Sequence, residues 1–197
     1  DVDKLGKLRE KYSNNRPLCR LEIDETSVEA GNVMDDYKTP LNQFQLDYYQ
    51  EDLSIENASS IAAIFEFENK RILWLSDSVP SVIVSSLLRL GYGESNKLYC
   101  DAILLSHHGS VGNNSIELFK IIHSCKYIIS SDGINMHCLP NKETIARIVF
   151  ASTSLPISIY FNYDDGRLIR MFKSDVPEDL RMMVDVHYLK EREAIEL

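Results

Sequence analysis

The stretch Ile61-Ala-Ala-Ile-Phe-Glu-Phe-Glu68, Asn69-Lys70, Arg71-Ile-Leu-Trp-Leu75-Ser-Asp77 decides the fold. Apolar runs with strand character on both sides of a two-residue turn predict an antiparallel hairpin. Beyond it, Val79 to Gly91 has helical periodicity, opening at Ser-Val-Pro and closing at glycine. Asp101 to Leu105 reads as a short apolar strand, Ser115 to His123 as an amphipathic helix, Lys126 to Ser130 as a strand and Asn141 to Phe150 as a helix. Ile157 to Tyr163 and Arg167 to Phe172 read as a second hairpin around Asp164-Asp165-Gly166. A hairpin followed by strand–helix–strand–helix predicts an α/β unit, a mixed sheet with helices on its outer face. The other face needs a cover that the first sixty residues are too irregular to supply, so the unit reads as incomplete.

Upstream, Leu18 to Ile23 has the pattern of a short strand, Asp24 to Pro40 of a loop and Phe44 to Tyr49 of a strand. Downstream, Asp179 to Glu196 reads as a charged helix with Leu, Met and Val on one face, able to pack on this domain or to meet a protein partner. The expected organisation is an irregular N-terminal segment over 1–54, a main domain over 55–175 and a C-terminal helix over 176–197.

The 197 residues suffice for one core, and no apolar run is long enough to span a bilayer. No charged-then-apolar leader opens the chain. A net charge of −9 without a basic stripe argues against an extended DNA-binding surface. It leaves room for a phosphodiester in a metal cleft, where bound cations dominate the local field. Cys19, Cys100, Cys125 and Cys138 lack metal-site or disulfide spacing, and read as free buried thiols in a reducing, cytoplasmic setting.

Three segments that follow apolar strands carry the chemistry: Trp74-Leu75-Ser76-Asp77-Ser78, Leu104-Leu105-Ser106-His107-His108-Gly109-Ser110 and Ile134-Asn135-Met136-His137-Cys138-Leu139-Pro140. In α/β sheets, functional groups gather past such strand ends. Asp77 is either a helix N-cap or turn residue, or a carboxylate ligand able to bridge two cations. The adjacent imidazoles of His107 and His108 suit a metal ligand and a neighbour that orients substrate, or else an ordinary surface turn. His137 is equally a loop histidine or a functional one. His123 and His187 sit on stretches that read as helical, without partners, and read as structural or surface residues.

Order and spacing join these pieces. The run Asn57-Ala-Ser-Ser60, Leu75-Ser-Asp77, His107-His108-Gly109-Ser110 and Asn135-Met-His137 with Pro140 resembles the metallo-β-lactamase-fold hydrolases. It is most similar to the branch found in DNA-uptake competence proteins and related phosphodiesterases. The likeness covers residues 55 to 150, and its most specific element is the His-His-Gly-Ser loop, about thirty residues after the aspartate. The resemblance implies the C-terminal half of an αββα sandwich. It also implies two divalent ions, Zn2+ or Mn2+, and hydrolysis of a phosphodiester by a hydroxide activated between them, as in a nuclease or phosphodiesterase. Residue by residue, it implies that Asp77 bridges the metals and His108 ligates one. His107 would face substrate or support the ligands, and His137 would assist the leaving group. Asn57 and Ser60 are expected to hold the strand start rather than do chemistry.

The departures are specific. The family's His-x-His-x-Asp-His motif has no counterpart, since no histidine precedes His107. Ser76 stands where the family has glycine, and Cys138-Leu139 separate His137 from the proline. The chain is therefore expected to be completed by an N-terminal half of the same fold, on its own or another polypeptide, and to hold metal weakly alone. The rival expectation is a catalytically inactive interaction module.

Overall fold

The computed structural model describes residues 36–46, 48–133, 138–163, 166–190 and 193–197. α1 (Ile55–Ala58) is one turn, capped by the Ser54 hydroxyl, which accepts from the Asn57 amide at 3.1 Å. β1 (Ala63–Phe67) and β2 (Lys70–Trp74) pair antiparallel. Their turn falls at Glu68 and Asn69, both at positive φ, one residue earlier than the sequence predicts. Left-handed turns of this kind match the twist of the flanking strands.

Next come α2 (Pro80–Arg89), β3 (Leu98–Tyr99) and β4 (Ala102–Leu104). They are followed by α3 (Ile116–Ile121), β5 (Ile122–His123) and β6 (Lys126–Ile129). The chain continues through α4 (Lys142–Ala151), β7 (Ile157–Phe161), α5 (Gly166–Arg170), α6 (Pro177–Met183) and β8 (Val184–Tyr188). Six strands form one mixed sheet in the order β1-β2-β4-β6-β7-β8, all pairs parallel except the first. β3 and β5 make a separate parallel pair.

Each parallel crossover steps the same way along the sheet. Right-handed crossovers therefore put all the connecting helices on one face. The burial pattern agrees: Leu73, Ile103, Tyr127, Ile129, Ile159 and Phe161 are buried on that side. The other face carries Phe65, Ile72, Trp74, Leu104, Ile128 and Tyr160, half-buried or exposed, with Trp74 at 48%. That face is the one the sequence leaves without a cover.

Four expectations are corrected. The second hairpin does not form: β7 is a strand, but 166–170 is helical. Leu168, Met171 and Phe172 are the buried residues there, and their spacing is that of a helix. The C-terminal helix ends at Met183, and Val184–Tyr188 is a strand. Val184, Val186 and Tyr188 alternate with Asp185 and His187, so β8 adds parallel to β7 and Tyr188 stacks on Phe161 at 5.4 Å. The helix expected over Ser115 to His123 stops at Ile121, because Ile122 and His123 pair with β3. No strand occurs among the described residues of Phe44 to Tyr49; Leu18 to Ile23 lies outside the described residues.

Part of the N-terminal segment straps the helix layer. Tyr37 and Leu41 are buried, and the Leu41 amide donates to Asp175 Oδ1 at 2.6 Å. Asp175 Oδ2 accepts from Lys142 Nζ at 2.5 Å, both side chains being buried.

Candidate functional site

Because β2, β4, β6 and β7 run parallel, the loops that follow them emerge at one edge of the sheet. The loop after β4 is tied to the one after β2. The His107 amide donates to the Ser76 carbonyl at 2.9 Å, and the Ser106 hydroxyl to the Ser78 carbonyl at 2.7 Å. Ser76 has φ +52, a left-handed conformation that favours glycine. His107 and His108 also sit in left-handed backbone, at φ +44 and +55. Gly109 follows at φ +81, and a Cβ there would lie 2.9 Å from Pro140 Cβ. Such a run turns the two imidazoles outward at the strand end.

His108 is exposed, and its Nδ1 lies 2.5 Å from the Ser130 carbonyl oxygen. A carbonyl only accepts, so Nδ1 carries the proton, and Nε2 of the neutral ring keeps its lone pair. Asp77 is half-buried, and its carboxylate makes no hydrogen bond or ion pair among the described residues. It lies in the turn after β2, the turn position the sequence allows; the N-cap of α2 is Val79.

His107 is held from behind. Its Nδ1 lies 3.0 Å from Asn113 Oδ1, 3.0 Å from Asn57 Nδ2 and 3.6 Å from Asp52 Oδ2. Asp52 Oδ2 accepts from Asn57 Nδ2 at 2.5 Å and from Asn113 Nδ2 at 3.1 Å. Asn113 Nδ2 also reaches the Asp77 carbonyl at 3.3 Å, linking the network to the loop after β2. Burial works against the Asp52 charge. Hydrogen bonds from Asn57, the Ser54 amide and Asn113 outweigh it, and hold this carboxyl below its ordinary value. Nδ1 of His107 thus meets an acceptor in Asn113 Oδ1 and a donor in Asn57 Nδ2, and donates to the first or accepts from the second according to its tautomer.

The structure thus brings His107 next to the loop of Asp77, with His108 beside it. His137 lies outside the described residues, while the neighbouring Cys138 carbonyl accepts from Arg167 at 3.1 Å. His123 is buried against Tyr99, and His187 stacks on Tyr160 at 4.4 Å. Cys100 is buried, Cys125 exposed and Cys138 half-buried, so the thiols are not uniformly in the core as expected; all three are free. Asn57 belongs to the His107 network rather than merely to the strand start. Asp52 and Asn113 escape sequence reading: one lies 55 positions upstream of His107 in irregular chain, the other in a polar loop.

For a metal, the donor chemistry of Asp77 and of His108 Nε2 is suitable. These are two donors, and among the described residues no group of three or more His, Cys, Asp or Glu side chains gathers. No family model, curated protein or solved structure matches this chain. What stands without comparison is an α/β chain with a mixed sheet flanked by helices. Among its described residues, no helix is long and apolar enough to cross a membrane.

Proposed function

We propose that this chain is the C-terminal half of a metallo-β-lactamase-like αββα domain. In this reading it hydrolyses phosphodiesters with two divalent cations, Zn2+ or Mn2+, once an N-terminal half completes the ligand set. The observation that carries the reading is His108. Its Nδ1 is committed to a backbone carbonyl, the arrangement that orients metal-ligating histidines, and its outer nitrogen is exposed. The unpartnered Asp77 carboxylate on the adjoining loop adds a second donor. The open apolar face with Phe65 and Trp74 supports a second sheet packing there.

Bound cations supply Lewis acidity and neutralise charge developing at the scissile group. The chain's own part is to hold them through Asp77 and His108. His107, held at Nδ1 by Asn113 and Asn57, is the group that in this reading accepts or returns a proton. His137, in the loop after β6, would serve the leaving group. A reducing, cytoplasmic setting accompanies this reading, on the unpaired Cys100, Cys125 and Cys138.

The second reading, a catalytically inactive module of the same fold, draws on the two-donor count. Metal content by mass spectrometry on the full-length gene product separates them, with Asp77→Ala and His108→Ala alongside. The hydrolase reading expects two metals per chain, depleted in both variants. Absence of metal from every form would favour the module.

A further inference from the structure

A second feature lies at the same sheet edge, two strands from His107. A cavity of about 510 Å3 is lined by Tyr37, Lys38, Arg167, Arg170, Lys173 and Ser174. Among the described residues that line it, four of six are cations and none is an acid, in a chain whose net charge is −9. Lys38, Arg170 and Lys173 are exposed and make no ion pair among the described residues.

Two carboxylates adjoining lining residues in the chain are engaged elsewhere. Asp175 is held by Lys142 and the Leu41 amide, and Asp36 accepts from the Glu143 amide at 2.8 Å. Arg167 is fixed as a wall of the cavity. Its guanidinium donates to the carbonyls of Gly133 at 3.2 Å and Cys138 at 3.1 Å, and lies 5.2 Å from the Tyr37 ring centre. Tyr37 is itself anchored, its hydroxyl donating to the Pro140 carbonyl at 3.0 Å.

The pocket therefore adjoins the loop after β6, whose first residue, Ser130, orients His108. At about 4.8 Å between strands, the step from the β4 end to the β7 end is on the order of 10 Å. Unpaired cations around a concave, pre-ordered surface attract an anion with several charges, and the common extended one is a phosphodiester chain.

We propose that Lys38, Arg170 and Lys173 form a phosphate-binding site that holds the backbone of single-stranded nucleic acid running along this edge toward His107 and His108. The choice of a strand as ligand rests on the hydrolase reading; the anion site does not.

The test is binding of a fluorescein-labelled ten-residue oligothymidine to the full chain by anisotropy, in chelator, over a range of salt. The variants are the triple Lys38→Gln/Arg170→Gln/Lys173→Gln and a control triple Arg89→Gln/Lys120→Gln/Lys190→Gln, which removes the same charge elsewhere. The pocket triple should bind on the order of tenfold more weakly, and the slope of log K against log[salt] should flatten by about 2. The control triple should bind like the wild type.

Three results would overturn the proposal: no binding by wild type, equal loss in both triples, or competition by inorganic triphosphate as effective as by unlabelled oligothymidine. The last would mark a small-polyphosphate site instead. Binding in chelator does not draw on a bound metal. Failure of the hydrolase reading, seen as absent metal, is thereby distinct from failure of the anion site, seen as absent binding.

Discussion

Asn113 Oδ1 lies 3.0 Å from His107 Nδ1, while the amide nitrogen of the same side chain reaches Asp52 Oδ2 at 3.1 Å. One buried asparagine thus ties the imidazole to the carboxylate behind it. Asn113→Ala should destabilise the fold by about 1–3 kcal/mol, through polar groups left unpaired. Urea denaturation measures the stability loss. Long-range 15N NMR of the His107 ring should show a different tautomer balance in the variant from that in the wild type. An unchanged ring spectrum would remove Asn113 from the orienting role.

Asp52 carries a sign-definite pH dependence. Its folded carboxyl titrates below the unfolded one, at about 3.9 for a free aspartate. The stability it contributes is therefore complete above the unfolded value and lost as pH falls through the lower folded value. Asp52→Asn should make the acid limb of unfolding free energy against pH shallower. Superimposable acid limbs for wild type and variant would contradict this.

The buried Lys142–Asp175 pair should behave asymmetrically. Lys142→Met strands the Asp175 carboxylate and should cost about 3–5 kcal/mol. Lys142→Met with Asp175→Leu should recover only part of that loss, because the Leu41 amide then also loses its acceptor. Urea midpoints of the three proteins decide it. A double variant no better than the single would show that the penalty does not come from an uncompensated charge.

Gly109→Ala meets two obstacles, a φ of +81 and a Cβ position 2.9 Å from Pro140 Cβ. It should destabilise the protein by more than about 1 kcal/mol, because alanine is strained at positive φ. The same shift should displace the His107-His108 loop. A fall in melting temperature together with altered His108 NMR signals is the expected result, and a neutral substitution would deny the loop its rigidity.

Thiol reactivity should separate Cys125 from Cys100. Burial pushes the Cys100 thiol up to about 12, whereas Cys125 is exposed. Iodoacetamide at pH 8 followed by peptide mass mapping should label Cys125 in the native protein, and Cys100 only after denaturant. Equal labelling rates would show that the β3–β4 region opens readily.

Much of the sheet is legible locally. The Ile61 to Leu75 hairpin, α2, β4, β6 and α4 follow from periodicity and turn residues, because each buries one side of a regular element. The errors fall where short apolar segments fit either period. Leu168, Met171 and Phe172 pack as a helix although the surrounding run resembles a strand, and Val184 to Tyr188 pairs with β7 although its flanks resemble a helix. For segments of five residues, tertiary partners outweigh propensity.

The site divides in the same way. Asp77, His107 and His108 stand out because unusual residue types sit just past apolar strands, a relation written along the chain. Asp52 and Asn57 meet His107 only after the strap before β1 folds back across the loop, at a separation no periodicity encodes. The basic pocket is likewise invisible as a stripe, since Lys38 joins Arg170 and Lys173 only when residues 36–46 lie over the helix layer. Sequence alone determined the first hairpin, α2, β4, β6, α4 and β7, and the placing of Asp77, His107 and His108 past strand ends, because these depend on neighbours within a few residues. The surroundings of those side chains and the gathering of charge were decided by tertiary structure, because electrostatics acts through space between groups far apart in the chain.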